Sequence, residues 1–249
     1  MQLTDALLVG AGAFVAGGMN AMAGGGTFFS FPAMLAAGVP PIMANASNTV
    51  ALWPASISSA WAYRREAMRH GRWAALLAVI SVIGGLLGGL LLLAISNETF
   101  SRLIPWLLMV ATTLFAFSAQ VSKLIRWVKG HMKLPPSDKP GSVGGAIFQT
   151  AVAIYGGFFG AGMGILTLAA LSIQGFEDIQ EINALKNLTS AMNYTVAALT
   201  FIIAGAISWP HTLVALVTAA IGGYVGAALA RKLPALWLKR LVILVGAVL

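Results

Sequence analysis

Along this chain, apolar residues run in long blocks separated by short polar breaks, without the sustained alternation that a half-buried strand needs. Ten apolar segments stand out: residues 5–22, 27–38, 41–63, 73–95 and 103–125, then 142–160, 163–174, 179–206, 211–230 and 236–249. Blocks such as Trp73–Ile95, Leu103–Ser122 and His211–Ala230 reach the roughly 20 residues a helix needs to cross ~30 Å of hydrocarbon. Continuous apolarity predicts helices, not barrel strands. The second segment in each set of five is short, so it either crosses or turns back. The one sizeable polar connection, Lys123 to Ser142, contains Pro135, Pro136 and Pro140. It divides the chain into a transmembrane half over 1–125, a basic linker over 126–141 and a second transmembrane half over 142–249.

Composition turns this pattern into a class. With 59% hydrophobic and 9% charged residues and a mean hydropathy of +0.87, the chain lacks the polar surface to clothe a soluble domain. An all-α polytopic membrane protein is the expectation. The apolar start, Ala6 to Met22, lacks a basic leader and runs into glycines, so it reads as a first mature helix and not a cleaved signal. Zero cysteines exclude disulfides and thiolate metal sites. The net charge of +8 sits in loops between apolar spans with no interleaved aromatic platform, which argues for membrane orientation and against nucleic acid.

Residues 17–103 recur without a gap 139 positions later, with Gly17, Gly18, Gly25, Asn48 and Gly84 falling on Gly156, Gly157, Gly164, Asn187 and Gly223. Charge provides an independent check. Of fifteen Lys and Arg, thirteen fall in three places: Arg64, Arg65, Arg69 and Arg72; Lys123, Arg126, Lys129, Lys133 and Lys139; Arg231, Lys232, Lys239 and Arg240. The positive-inside rule puts all three groups in the cytoplasm. Yet the counterparts of loops 64–72 and 231–240, residues 203–211 and 92–101, contain no Lys or Arg. Equivalent loops of opposite bias lie on opposite membrane faces, so the pattern predicts two inverted-topology repeats of about five apolar segments each, with glycine-broken helices. Secondary transporters are built this way, with substrate held where the broken segments meet.

Chemistry concentrates at the breaks. In the first repeat, Asn20 precedes Gly24, Gly25, Gly26 and Thr27; a glycine run costs about 1 kcal/mol per residue in a helix relative to alanine. Backbone left unpaired there is tolerated at membrane depth only inside protein or beside a wet cavity. A helix restarting near Thr27 would aim its first N–H groups at that cavity, which favours an anion. Gly160, Gly162 and Gly164 occupy the equivalent region of the second repeat. The competing role for these glycines is close helix packing.

The third segment of each repeat supplies side chains. Asn183, Lys186, Asn187 and Ser190 fall at i, i+3, i+4 and i+7, on one helix face, with Asn193 extending the stripe. The counterparts are Asn45, Ser47, Asn48 and Thr49, after Pro40-Pro41. Lys186 lies ~12 Å into its helix, and an ionisable group at that depth marks a functional site. The alternative is that it snorkels to the interface or pairs with Glu177, Asp178 or Glu181. All seven acidic residues (Asp5, Glu66, Glu98, Asp138, Glu177, Asp178 and Glu181) lie at segment ends or in loops, so the substrate reads as a small anion. His70, His131 and His211 lie in loops too. No metal-ligand spacing, cofactor motif or catalytic constellation is present, and an enzyme is not expected. The seven tryptophans fall mostly near segment ends, as an aromatic belt does.

Two stretches, AGGGTFFSFPAMLAAGVPPIMANASNTVAL and GGFFGAGMGILTLAALSIQGFEDIQEINALKNLTS, resemble the sulfite exporter TauE/SafE family of bacterial membrane permeases, and the resemblance covers essentially the whole chain. It implies a multi-pass inner-membrane transporter that moves, and in export expels, small sulfur-containing anions such as sulfite, sulfonates or sulfoacetate. It also implies that the family's repeated motif falls on Gly24, Gly25, Gly26, Asn45, Ser47, Asn48 and Thr49, and on Gly160, Gly162, Gly164, Asn187 and Thr189. The second copy has Met163 inside its glycine run. An anion channel, or a non-transporting assembly or sulfur-relay subunit, are the other readings. Substrate identity, direction, coupling ion and oligomeric state are left open at this point.

Overall fold

A computed structural model of the protein describes residues 1–22, 25–117, 143–174, 176 and 178–230. Gly24, Glu177, the linker over 126–141, the last apolar segment over 236–249 and the basic groups at 123–139 and 231–240 lie outside the described residues. Their regular structure is helical: α1 (Leu3–Met22), α2 (Thr27–Ala36), α3 (Pro41–Ala62), α4 (Arg64–Met68), α5 (Gly71–Ala94), α6 (Asn97–Ala116), α7 (Val143–Phe158), α8 (Met163–Ile173), α9 (Ile179–Ile203) and α10 (Trp209–Ala230).

Two boundaries depart from the apolar pattern. The short α4 occupies the basic loop, and α6 begins at Asn97 instead of residue 103. Ser96 explains the second difference, because its Oγ accepts the Thr99 N–H at 3.1 Å and so caps a polar first turn. Glu98 and Arg102 then pair at i, i+4 across 2.6 Å. Apolar content alone cannot see a turn that is helical because it is capped.

Two elements are hairpins of broken helix. In the first, Gly26 lies against Ala16 and Asn20, and Gly12 faces Phe29 and Ala33, so α2 runs back along α1. In the second, Gln174 Nε2 donates to Gly145 O at 3.3 Å while Met163 packs on Gly156, so α8 runs back along α7. Positive φ at Gly25 (84°), Gly160 (79°) and Gly162 (76°) makes both reversals possible.

The hairpins enter the bundle from opposite ends. One end gathers α4 and the starts of α5 and α9, joined by His70 Nε2 and Glu181 Oε1 at 3.0 Å. The other gathers the starts of α3, α6 and α10: Asn97 Oδ1 accepts the Ile42 N–H at 3.0 Å and Ser47 Oγ accepts the Ser208 N–H at 2.9 Å. Hairpin two, which leads into α9, opens at the α4 end. Hairpin one leads into α3 and opens at the other end.

The most extensive helix pairings join the two halves: α1 on α10, and α7 on α5. Glycine makes both possible. A Cβ on Gly17 would sit 2.8 Å from Ala219 Cα, one on Gly157 the same distance from Gly85 Cα, and one on Gly88 2.6 Å from Phe158 N. These glycines pack helices together in the small-residue manner of membrane interfaces, whereas Gly25, Gly160 and Gly162 turn the chain. The glycine clusters therefore perform both roles, divided residue by residue.

Among the described residues two helices, over Leu3–Asn20 and Gly71–Ala94, are long and apolar enough to cross a membrane; shorter apolar helices cover Thr27–Ala36, Gly145–Phe158, Met163–Ser172 and Trp209–Val225. The long α3 and α9 carry buried polar residues, among them Asn45, Ser47, Asn48, Thr189 and Asn193, which lower their apolarity.

Candidate functional site

A cavity of about 540 Å³ lies where the hairpin tips approach each other. Its walls are Gly17, Asn20, Gly25 and Thr27 from hairpin one; Gly160, Gly162, Met163, Gly164, Ile165 and Leu168 from hairpin two; the middle and end of α3; Lys186, Asn187, Ser190 and Tyr194 from α9; and part of α10. It reaches the surface at the α4 end, where Ser58 and Ser59 are exposed and Tyr224 is 82% exposed. At the other end a ring cluster fills the space beside the second tip. Phe31 meets Phe159 edge-on at 5.5 Å and Phe100 meets Phe158 at 5.7 Å.

Lys186 is the cavity's one Lys or Arg among the described residues, and no Asp, Glu or His lines it. Its stem runs past Gly164, whose absent Cβ would lie 3.7 Å from Cδ. Of the carboxylates nearby in sequence, Glu181 pairs with His70 and Asp178 caps α9, accepting the Gln180 N–H at 2.7 Å, while Glu177 lies outside the described residues. Among the described residues Lys186 has no ion-pair partner.

The other expected residues divide. Asn20, Gly25, Thr27, Gly160, Gly162, Gly164, Lys186, Asn187 and Ser190 line the cavity together. Gly26, Asn45, Ser47, Asn48, Thr49, Asn183 and Thr189 are not among its walls. Asn20 Oδ1 accepts the Gly26 N–H at 2.8 Å, so one N-terminal amide expected to face an anion is already satisfied by a side chain. Asn48 sits just behind the wall, its Oδ1 accepting from Ser30 Oγ and its Nδ2 donating to Thr27 Oγ1 at 3.4 Å. Asn45 Nδ2 holds Phe158 O at 3.0 Å, tying α3 to the second tip. Thr49 and Thr189 return their hydroxyls to the carbonyls of Asn45 and Lys186, at 2.9 and 2.8 Å.

The polar stripe on α9 continues differently from expectation. Asn193 turns away from the cavity and donates Nδ2 to Ala153 O at 2.7 Å, with Ser81 O at 3.4 Å. The next cavity residue is Tyr194, which hydrogen-bonds Thr27 and whose hydroxyl lies 3.4 Å from where a Gly160 Cβ would be. Tyr194 thus touches both tips. Spacing alone could have found it, since 187, 190 and 194 follow at helical intervals.

The family model for the sulfite exporter TauE/SafE matches residues 9–249. This chain belongs to that family. It is similar to a probable membrane transporter protein of Haemophilus influenzae (27% identical, covering 86% of this chain and 80% of the relative). A probable membrane transporter protein, ORF9, of Sinorhizobium sp is 26% identical over 94% and 86%, and the probable membrane transporter protein YfcA of Escherichia coli K12 is 26% identical over 95% and 85%. No solved structure matches. The TauE/SafE chain is accordingly a membrane protein of a transporter family, with no enzymatic relative among these.

Proposed function

We propose that this protein is a multi-pass secondary transporter of the bacterial inner membrane that moves small sulfur-containing anions, such as sulfite, sulfonates or sulfoacetate, by alternating access. The observation that carries the reading is Lys186: a cation that, among the described residues, has neither an ion-pair partner nor a carboxylate in its cavity, between two broken-helix tips. An oxyanion there is attracted by the ammonium and hydrogen-bonded by Asn187, Ser190, Asn20 and Thr27, with Asn48 holding Thr27 from behind.

Two inverted repeats, 1–125 and 142–249 joined by a basic cytoplasmic linker, account for the architecture. The hairpins entering from opposite ends support this, as does the reciprocal packing of α1 on α10 and α7 on α5. The α4 end carries Arg64, Arg65, Arg69 and Arg72 and is the cytoplasmic end, so the cavity opens inward in this conformation. Rocking one repeat on the other, with the Phe31, Phe100 and Phe159 cluster parting, would open it outward. The cavity's apolar wall, including Ile165, Leu168 and Leu216, leaves room for a short organic tail beside the anionic head.

The test is counterflow in proteoliposomes preloaded with sulfite, sulfoacetate, a simple sulfonate or a carboxylate of matched size. Saturable exchange confined to the sulfur oxyanions supports the proposal. Conductance without exchange means a channel, and no flux with any of them ends the carrier reading.

A further inference from the structure

The assemblies that pack most tightly in this fold are not its two sequence halves. α10, from the second half, lies along α1 and α3, while α5, from the first half, lies along α7 and α9. Each half thus lends its fourth apolar helix to the hairpin and third helix of the other. One assembly holds hairpin one, α3 and α10; the other holds hairpin two, α9 and α5. The closest backbone approaches respect the same division. Among the described glycines, every one whose Cβ would sit under 3.0 Å from another atom meets that atom within its own assembly. Gly17 meets Ala219 across α1 and α10, and Gly84 meets Ala153 across α5 and α7. Such close packing is what holds helices together in a membrane, where no water drives them into contact.

The seam between the assemblies is built differently. Its spine is α3 against α9, and neither helix contains a glycine. The bonds that cross it come from side chains: Trp53 Nε1 donates to Thr195 Oγ1 at 2.8 Å, and Asn45 Nδ2 to Phe158 O at 3.0 Å. The edge-on rings of Phe31 and Phe159 meet across it too. Side-chain bonds and rings can exchange partners as helices shift, whereas interlocked backbones move as one body. The cavity lies on this seam, with Asn20, Thr27 and Leu216 on one side and Gly164, Lys186 and Asn187 on the other.

We infer that the units that move against each other in transport are these exchanged assemblies, hairpin one and α3 with α10 against hairpin two and α9 with α5, and that α3 on α9 is the bearing between them. This rests on the alternating-access reading and names its moving parts: the repeats rock with their fourth helices exchanged. The chain then passes from one unit to the other over residues 63–70 and 204–208, between α3 and α5 and between α9 and α10. These two crossings are counterparts in the proposed repeat and lie at opposite ends of the bundle. An anion at Lys186 that also reaches Asn20 and Thr27 bridges the seam, so the substrate has a hold on both units at once.

The cysteine-free chain allows the units to be stapled. A Cβ on Gly89 would lie 3.6 Å from Thr200 Cβ, and one on Gly10 would lie 3.5 Å from Thr218 Cγ2, which suits a disulfide. Gly89→Cys/Thr200→Cys and Gly10→Cys/Thr218→Cys therefore each join the first half to the second inside one assembly. Sulfoacetate counterflow by the full-length protein should be unchanged when either staple closes. Trp53→Cys/Thr195→Cys, joined by a reducible linker that spans the lost indole, ties α3 to α9 and should lose exchange until it is reduced. Exchange lost on closing either staple and regained on reduction, or exchange that survives the α3–α9 link, overturns the inference. Nitroxide distances give a second reading that needs no flux, with cysteines placed at exposed Leu3, Leu91 and Leu213. Sulfoacetate should shift the Leu3–Leu91 distance, although both lie in the first half, and leave Leu3–Leu213 fixed, although they lie in different halves. The opposite pattern, or no shift between Leu3 and Leu91, overturns the inference; that shift without any counterflow keeps the assemblies and sinks the carrier.

Discussion

Replacing Lys186 with methionine removes a charge while keeping the stem that packs beside Gly164. An ammonium and an oxyanion 4 Å apart attract by about 4 kcal/mol at an effective dielectric near 20. Desolvation offsets part of this, and charged hydrogen bonds retain about 1.5–3 kcal/mol net. The apparent affinity for a sulfur oxyanion in counterflow should therefore fall roughly 10- to 150-fold. Stability should move the other way. With Glu181 bound to His70 and Asp178 capping α9, the substitution breaks no ion pair among the described residues and removes a half-buried charge, so Lys186→Met should melt at or above the wild-type temperature. Unchanged half-saturation in a folded Lys186→Met protein would refute the charge assignment; a marked drop in melting temperature would show that Lys186 has a structural partner instead.

Gly157→Ala places a Cβ 2.8 Å from Gly85 Cα and should destabilise by about 1–3 kcal/mol, lowering the melting temperature by several degrees, while Gly71→Ala, with nothing within 4 Å, should stay within about 0.5 kcal/mol. Gly162→Ala has ordinary space, 3.5 Å from Ala111 Cβ, but φ is +76°; the strain of roughly 1–2 kcal/mol should slow counterflow more than it lowers expression. Trp53→Phe removes the 2.8 Å bond from Nε1 to Thr195 Oγ1, a link between α3 and α9, and should cost about 1 kcal/mol in thermal unfolding, with Thr195 still bonded to Ala191 O.

The helices were legible because membrane helices announce themselves by unbroken apolarity, and the polar cluster on α9 because such groups are costly at that depth. Lys186, Asn187 and Ser190 share a face by spacing alone, and that face does line the cavity. Asn193 shows the limit. Three residues beyond Ser190, it faces the α5 and α7 side, where the pairing Gly85–Gly157 brings two helices close enough for its amide to reach Ala153 O. Nothing in the local pattern encodes that crossing. Gly17 and Gly25 make the same point, being alike as residues yet one packs a helix interface and the other turns the chain. Asn48 is expected on the cavity wall as a substrate ligand, but it sits behind that wall, because its hydrogen bonds to Ser30 and Thr27 depend on hairpin one folding back, a tertiary event.

The central claim is that an anion binds in this cavity and that the cavity faces each side of the membrane in turn. The chain's lack of cysteine allows a direct test with Ser190→Cys, a cavity residue on α9. Its rate of reaction with a membrane-impermeant thiol reagent would be measured from each side of oriented vesicles, with and without sulfoacetate. Labelling from the α4 side at rest, labelling from the other side once an opposing anion gradient is imposed, and protection by the anion on both sides are what alternating access predicts. Equal simultaneous labelling from both sides, or labelling indifferent to every sulfur oxyanion, would contradict it.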